Sequence, residues 1–284
     1  MFWLDGTLYE GTVAPLDLQD RGLLLGDGLF ETIAIFNQVP FRLDAHLARL
    51  EHGAHTLGLP IDRTRVGEAI AAVAERAPGP HGIVRVTVTR GAGARGLALP
   101  PAPRSTVIAS IAAWAPPDSR PITLVRSSIR RNESSPVSRI KSLCYLDQVM
   151  ALQEAVEAGC DDAVMLNTKG RVACASAANI ICLYGKRLVT PPVTDGVLPG
   201  IMRDLVLRDA GSLGFEAREA SLTWHELLAA DAVFLTNSVK LIRRVAAING
   251  RQWPSGADHV AGDIRGSLIE RIEAECGTDP FALA

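Results

Sequence analysis

One lysine stands out for its setting. Lys141 lies in Arg139-Ile140-Lys141-Ser142-Leu143-Cys144-Tyr145-Leu146-Asp147, between an apolar residue and a stretch whose apolar residues recur at helical spacing. Desolvation in such a place lowers an amine's pKa and prepares it for Schiff-base chemistry. Gly91-Ala92-Gly93-Ala94-Arg95-Gly96 matches Gly-x-Gly-x-x-Gly. A dinucleotide site needs a helix directly after that pattern, so that its N-terminus faces the pyrophosphate. Here Leu97-Ala98-Leu99-Pro100-Pro101 follows and starts no helix cleanly. The stretch reads instead as a mobile loop carrying Arg90 and Arg95, whose guanidinium groups could clamp a carboxylate bidentately. A solvated surface loop fits the same residues equally well. His52 and His55 share a face of an expected helix, yet no third ligand lies nearby and catalytic zinc takes three. They read as surface histidines, and no metal is expected. No Gly-x-Ser-x-Gly occurs, so a hydrolase triad has no support.

These residues need elements to hold them. Phe2–Leu4 and Thr7–Tyr9 read as strands about a turn, and Gly26-Asp27-Gly28 as a tight turn before a strand over Leu29–Phe36. Asp44 is the expected N-cap of a helix carrying His46, Leu47 and Leu50, with Gly58 stopping it. Asp62 to Arg76 reads as a second helix. Gly82 to Thr89 alternates, with Val84, Val86 and Val88 on one face and Arg85, Thr87 and Thr89 on the other. A Gly/Pro-rich loop over Gly91–Pro103 and a strand over Thr106–Ala112 follow. Ala-Pro-Pro-Asp-Ser-Arg-Pro at 115–121 is the expected linker.

Past the linker, Ile122–Arg126 reads as a strand. A helix is expected from about Ser142 to Ala158, with Leu146, Val149, Met150, Ala155 and Val156 at helical spacing and Gly159 as its cap. Ala163–Leu166 and Arg171–Cys174 flank a turn at 167–170 and read as a hairpin. Ile180–Tyr184, Arg187–Thr190 and Ala232–Leu235 read as further strands. Pro199-Gly200 precedes a helix over Ile201–Ala210, and Thr223-Trp224-His225-Glu226 fits a capping box.

The chain has 284 residues and a formal net charge of −2, with 48% hydrophobic and 21% charged residues. That balance excludes disorder and a coiled coil, and it argues against a general nucleic-acid binder. No run approaches the roughly 20 apolar residues of a membrane helix. The N-terminal residues lack a basic region followed by an apolar one, so no secretory signal is expected. The five cysteines form no Cys-x-x-Cys, which fits free thiols in a cytoplasmic protein.

Six segments occur in order: Asp20-Arg21-Gly22 with Gly26-Asp27-Gly28-Leu29-Phe30-Glu31; His46-Leu47-Ala48-Arg49-Leu50; Ile140-Lys141-Ser142-Leu143; Gly170-Arg171-Val172 through Asn179; Leu198-Pro199-Gly200-Ile201; and Phe234-Leu235-Thr236-Asn237-Ser238. Together they resemble the class IV aminotransferases, pyridoxal-phosphate enzymes of fold type IV. That family includes branched-chain and D-amino-acid aminotransferases and aminodeoxychorismate lyases. The likeness runs from about Phe2 to Gly250. It implies an α+β fold with a small N-terminal α/β domain (1–114), a linker (115–121) and a larger C-terminal α/β pseudo-barrel domain (122–284).

The resemblance implies pyridoxal 5'-phosphate as cofactor, held by Lys141 as a Schiff base, with Lys141 then serving as general base and acid. Arg49 matches a phosphate-binding arginine. Ile201 and Met202 would offer backbone N–H groups to the same phosphate, and Ser238 a hydroxyl. Leu198 matches a residue packed on the cofactor ring, and Asn179 stands in the cofactor-binding stretch. Thr236, Asn237 and Val239 would line the substrate-carboxylate side, with Phe30 a pocket aromatic and Arg90 and Arg95 on the substrate loop. The family is typically a homodimer in which the Arg95-type loop reaches the neighbour's site.

Three departures stand out. Cys174 occupies the position of a glutamate that usually pairs with the protonated pyridine nitrogen, and a neutral thiol does not do the same electrostatic work. Replacing Cys174 by Glu is expected to raise turnover. Met202 replaces a common threonine, and Arg243-Arg244 alters the charge near the substrate loop. The implied reaction is transamination between an amino acid and a 2-keto acid. The alternatives are aminodeoxychorismate lyase chemistry, which eliminates pyruvate, and a cofactor-binding homologue without activity. The Arg90–Gly96 loop looks rather like the lyases, whereas the Phe30 and Lys141 segments look equally like transaminases.

Overall fold

The computed structural model describes residues 1–282. The chain divides into two compact units. The first contains residues 1–116, residues 140–144, and the chain from Ile272 to the end of the described residues. The second contains residues 117–139 and 145–271.

The elements of the first unit are β1 (Phe2–Leu4), β2 (Thr7–Tyr9), α1 (Arg21–Leu25), β3 (Gly28–Phe36), β4 (Val39–Pro40), α2 (Leu43–Leu57), α3 (Arg63–Ala74), β5 (Gly82–Thr89) and β6 (Thr106–Ala113). The strands make one antiparallel sheet in the order β2-β1-β6-β5-β3-β4. Leu29, Ile33 and Ile35 of β3 and the three valines of β5 share a core with Leu47 and Leu50 of α2 and Val66, Ile70 and Val73 of α3. The alternation expected for β5 is present, and Val84, Val86 and Val88 are fully buried. Helix α2 starts one residue before Asp44, with Arg42 as N-cap. Asp44 instead lies in the first turn, where its charge complements the helix dipole and pairs with Arg63 at 2.7 Å.

The second unit opens with β7 (Ile122–Arg131), longer than the sequence suggests. It continues with α4 (Leu146–Glu157), β8 (Asp162–Asn167), β9 (Val172–Ala175), β10 (Asn179–Tyr184), β11 (Arg187–Thr190), α5 (Ile201–Asp209), β12 (Glu216–Glu219), α6 (Trp224–Ala229), β13 (Ala232–Asn237), β14 (Leu241–Ile248) and β15 (Arg251–Gln252). Helix α7 (Asp258–Cys276) follows. The sheet runs β12-β11-β10-β13-β14-β7-β8-β9, with β15 on β14. It is mixed, since β7 pairs with both β14 and β8 in parallel. The tight turn after β9, closed by Ala175 N–H on Ala178 O at 2.9 Å, brings that edge strand back beside β10, so the sheet curls. The capping box expected at Thr223 and Glu226 is formed.

Two expectations need correction. The helix expected from Ser142 begins at Leu146. Residues 140–144 meet β3 through one antiparallel bridge between Ser142 and Leu29, where Phe30 N–H donates to Lys141 O at 2.9 Å and Leu143 N–H to Gly28 O at 3.0 Å. Strand pairing outcompetes helical spacing there, and it groups this segment with the first unit rather than with the expected 122–284 domain. Gly28 makes the approach possible, because a Cβ there would sit 2.6 Å from Val88 O and 2.9 Å from the Leu143 side chain. The second correction concerns α4. It buries Ala151, Ala155 and Gln148, while Leu146, Val149, Met150 and Val156 are exposed. The small alanines let the helix pack closely on Ala163 and Met165 of β8.

Candidate active site

The chemistry-bearing residues of the first unit converge on β3. Successive side chains along a strand point to opposite faces. Glu31 therefore points with Leu29 and Ile33 into the core under α2, while Phe30 faces the other way. His46 and Arg49 lie three apart on α2 and share a face. Both meet Glu31. Arg49 donates through Nε to Oε1 at 2.8 Å and through Nη2 to Oε2 at 2.6 Å, and His46 Nδ1 lies 2.7 Å from Oε2. Burial pushes the Glu31 carboxyl up, but the charge and hydrogen bonds of Arg49 and the bond from His46 outweigh it and hold the pKa at about 2. An ionised Glu31 only accepts, so Nδ1 carries the histidine proton. His46 Nε2 is then a bare acceptor, buried with no hydrogen-bond partner among the described residues. Desolvation keeps His46 below its ordinary pKa despite Glu31.

Lys141 Nζ lies 4.3 Å from the centroid of the Phe30 ring. Its pKa falls to about 8, chiefly by desolvation, with Arg49 and Arg85 adding to the fall and Glu31 opposing it. At pH 7 roughly one molecule in ten then carries a neutral amine, a few hundred times the fraction of an ordinary lysine. Arg85 is the residue that sequence reasoning missed. Its guanidinium stands 3.9 Å from the centroid of the same Phe30 ring. The signal was a single charge within an otherwise clean β-strand alternation. Glu31 and His46 were visible only as letters of a motif, because their pairing depends on the packing of α2 on β3.

Arg90 does not belong with Arg95 on a mobile loop. It is 2% exposed, and its guanidinium is consumed. It donates to both carboxylate oxygens of Asp27, at 2.8 and 3.0 Å, and to the carbonyls of Gly58 and Leu57, at 2.8 and 2.9 Å. A cation at those carbonyls neutralises the C-terminus of α2. Asp27 also accepts from Arg21 Nε at 2.8 Å. Burial opposes ionisation of Asp27, but the two arginines hold its pKa below the usual range. Arg21 extends onward to the carbonyls of Gly96, Leu97 and Ala98. The loop that follows is thereby anchored, and Arg95 within it is exposed.

In the second unit the candidate residues gather about two turns. Helix α5 has Gly200 as N-cap with no side-chain capping bond, which leaves first-turn N–H groups of Ile201 and Met202 without a side-chain acceptor. Asn179 Nδ2 donates to Leu198 O at 2.9 Å and ties that turn to β10. A Cβ on Gly200 would come within 1.9 Å of Asn179 Oδ1, so only glycine lets the two segments meet. The Met202 side chain is buried in the core. Past β13, Thr236 is 1% exposed and its hydroxyl donates to Leu241 O at 2.6 Å, so Thr236 holds the turn rather than lining a pocket. Asn237 likewise shapes the turn, accepting from Val239 and Lys240 N–H at 3.0 and 2.7 Å. The Ser238 hydroxyl has no partner among the described residues. Cys174 on β9 is half-buried, and desolvation raises its thiol above the ordinary value against the pull of Arg131. It is therefore a neutral thiol at pH 7.

A mixed α/β chain with a desolvated lysine amine, a buried Arg–Glu pair beside it and an open helix N-terminus has the equipment of an enzyme for carbonyl and phosphate-bearing ligands. Residues 28–248 match the family model for amino-transferase class IV. A Methanocaldococcus jannaschii protein named for branched-chain-amino-acid aminotransferase activity is 35% identical over 88% of each chain. A D-alanine aminotransferase of Bacillus licheniformis is 30% identical over 89% of this chain and 90% of its own. The crystal structure of 4-amino-4-deoxychorismate lyase from Pseudomonas aeruginosa superposes with a TM-score of 0.86 at 31% identity, covering 95% of this chain and 98% of that one. The chain belongs to the class IV aminotransferase family.

Proposed function

We propose that this protein is a pyridoxal-phosphate-dependent amino-acid transaminase that passes an amino group between an amino acid and a 2-keto acid. The observation that carries the reading is Lys141, an amine lowered to about pKa 8 beside Phe30 and the Glu31–Arg49 pair. The residues suit the cofactor at two of its groups. A depressed lysine suits an aldehyde, and the uncapped first turn of α5, with Ser238, suits a phosphate. At the ring nitrogen the fit is weaker, because Cys174 is a neutral thiol beside the cation of Arg131.

Pyridoxal phosphate, when bound, supplies a carbonyl that condenses with amines and a ring that draws electron density from the substrate's α-carbon. Lys141 Nζ would hold the cofactor through its carbonyl carbon and, once free as an amine, would carry the proton from the substrate's α-carbon to that carbonyl carbon. Glu31 and His46 hold Arg49 in one orientation, leaving it directed by geometry rather than by solvent. Arg85, exposed over Phe30, offers its guanidinium to a substrate carboxylate. Arg95 serves a second carboxylate from the loop that Arg21 anchors. Relatives at similar identity include both transaminases and a lyase. The burial of Arg90 removes one of the two loop arginines from substrate contact, which weakens the lyase-like reading of that loop.

The chain acts as a homodimer in the cytoplasm. The exposed apolar row of α4 supports an interface, and five unpaired cysteines suit a reducing compartment. Among the described residues no helix is long and apolar enough to cross a membrane.

Borohydride reduction after incubation with pyridoxal phosphate tests the reading. The label is expected on the Lys141 peptide and absent from Lys141→Ala, and D- or L-amino acids with a 2-keto acceptor are expected to exchange amino groups. Label elsewhere than Lys141 overturns the site. Pyruvate release from aminodeoxychorismate without transamination overturns the reaction in favour of the lyase.

A further inference from the structure

The second unit carries a pocket of about 480 Å³, open to solvent, that none of the candidate catalytic residues lines. It falls within the size range of small-molecule sites. Its apolar lining includes Leu213 and Phe215 after α5, both half-buried, and Val260 at the start of α7. Three polar side chains stand around it: Lys186, His259 and Asp231. Lys186, His259 and Asp231 are all exposed, and the Lys186 and His259 side chains have no hydrogen bond or ion pair among the described residues. Asp231 accepts from Gly185 N–H at 2.6 Å through one carboxylate oxygen. The pocket thus offers a cation, an imidazole and a carboxylate around an apolar lining.

That combination selects its ligand. A phosphate or a simple carboxylate would find Lys186 but would be repelled by Asp231. A purely apolar molecule would use neither. A zwitterion satisfies both signs, with its ammonium on Asp231, its carboxylate on Lys186 and His259, and an apolar side chain over Phe215 and Val260. We propose that this cavity is a second binding site for a free α-amino acid with an apolar side chain.

The cavity's position gives occupancy a consequence. Strand β10 runs from Asn179 to Tyr184, roughly 16 Å at about 3.3 Å per residue, and its last residues and the following turn reach the pocket at Leu183, Gly185 and Lys186. Helix α5 begins at the Gly200 turn and ends just before Leu213–Phe215, roughly 12 Å away. Both elements therefore join the cavity to the Asn179–Leu198–Gly200 turn. An amino acid held at their far ends modulates how that turn receives an anion. This regulatory consequence rests on the reading of the turn as a cofactor site, whereas the binding itself does not.

The chain has four lysines (141, 169, 186 and 240), so lysine acetylation read by mass spectrometry reports on Lys186 separately. The probe is α-methylleucine, which has no α-hydrogen to transfer, added to the cofactor-loaded enzyme. Acetylation of Lys186 is expected to slow roughly tenfold at about ten times the dissociation constant, with Lys169 and Lys240 unchanged. Leucinamide and isovalerate, each lacking one charge, are expected to protect poorly. Asp231→Asn keeps the acceptor for Gly185 N–H but removes the charge, and is expected to abolish protection while leaving borohydride labelling of Lys141 intact. Lack of protection up to the solubility limit overturns the proposal. So does equal protection by leucinamide, which would indicate an apolar groove without charge recognition. Protection of Lys186 together with absent transamination would retain this site and reject the transaminase reading.

Discussion

Glu31→Gln is the substitution that most directly probes the buried cluster. The carboxylate is 1% exposed and is held by two bonds from Arg49 and one from His46. Its pKa falls from 4.5 to about 2 on folding, a difference worth about 3 kcal/mol at roughly 1.4 kcal/mol per unit. A second route gives the same scale, since removing one partner of a buried ion pair typically costs about 3–5 kcal/mol. The amide keeps the shape but leaves the Arg49 cation uncompensated. Urea unfolding at pH 7 is therefore expected to show a loss of about 3 kcal/mol. The pH dependence has a definite sign. A depressed carboxyl pKa contributes stability that is fully present above 4.5 and is lost as pH falls towards 2. The gap between wild type and variant is expected to shrink by roughly half near pH 3. Lys141 supplies an independent readout, because Glu31 is the charge that raises its pKa. In the variant the pH midpoint for acylation of Lys141 is expected below 8. A loss under about 1 kcal/mol, which is the range of an exposed pair, would refute the buried-pair argument. So would a gap unchanged between pH 6 and pH 3, or a Lys141 midpoint that rises.

Other perturbations separate structural from substrate-binding arginines. Arg90→Lys keeps the charge but loses the fork to Asp27, Leu57 and Gly58; it is expected to lower the melting temperature without changing KM for the keto acid. Arg95→Ala is expected to do the reverse, raising KM at unchanged melting temperature, because Arg95 is exposed. Arg85→Leu removes a cation that depresses Lys141, so the acylation midpoint of Lys141 is expected to move above 8, with weaker binding of dicarboxylate substrates. Gly200→Ala places a Cβ against Asn179 and is expected to weaken pyridoxal phosphate binding, measured by fluorescence titration, while wild-type affinity would dismiss the role of the turn. Val149→Glu with Val156→Glu is expected to shift the protein to monomer in light scattering, since both side chains are exposed and apolar on α4.

Much of the architecture was legible from local pattern. The alternation of Val84, Val86 and Val88, the turn at 167–170, the capping box at Thr223 and the glycine stop at Gly58 are each set by residues close in sequence, and each is present in the structure. Strands β12 and β14 and helix α7 were not foreseen. Their burial is decided by sheet partners and neighbouring helices rather than by a strong period of their own.

The motif letters around Lys141, Glu31, Arg49 and Gly200 belong to the sequence, and the sequence alone sufficed to indicate the family. Tertiary structure decided what those letters do. Residues 142–144 left the expected helix because β3 offered hydrogen bonds that a helix end does not. Arg90 left the expected substrate loop because Asp27 and two helix-end carbonyls lay within reach of its buried guanidinium. The apolar row of α4 faced outward because alanine, not leucine, fits against β8. In the first two cases local propensity is worth tenths of a kcal/mol to about one per residue. Satisfying a buried charge or a row of backbone donors is worth several, so the longer-range partner prevails.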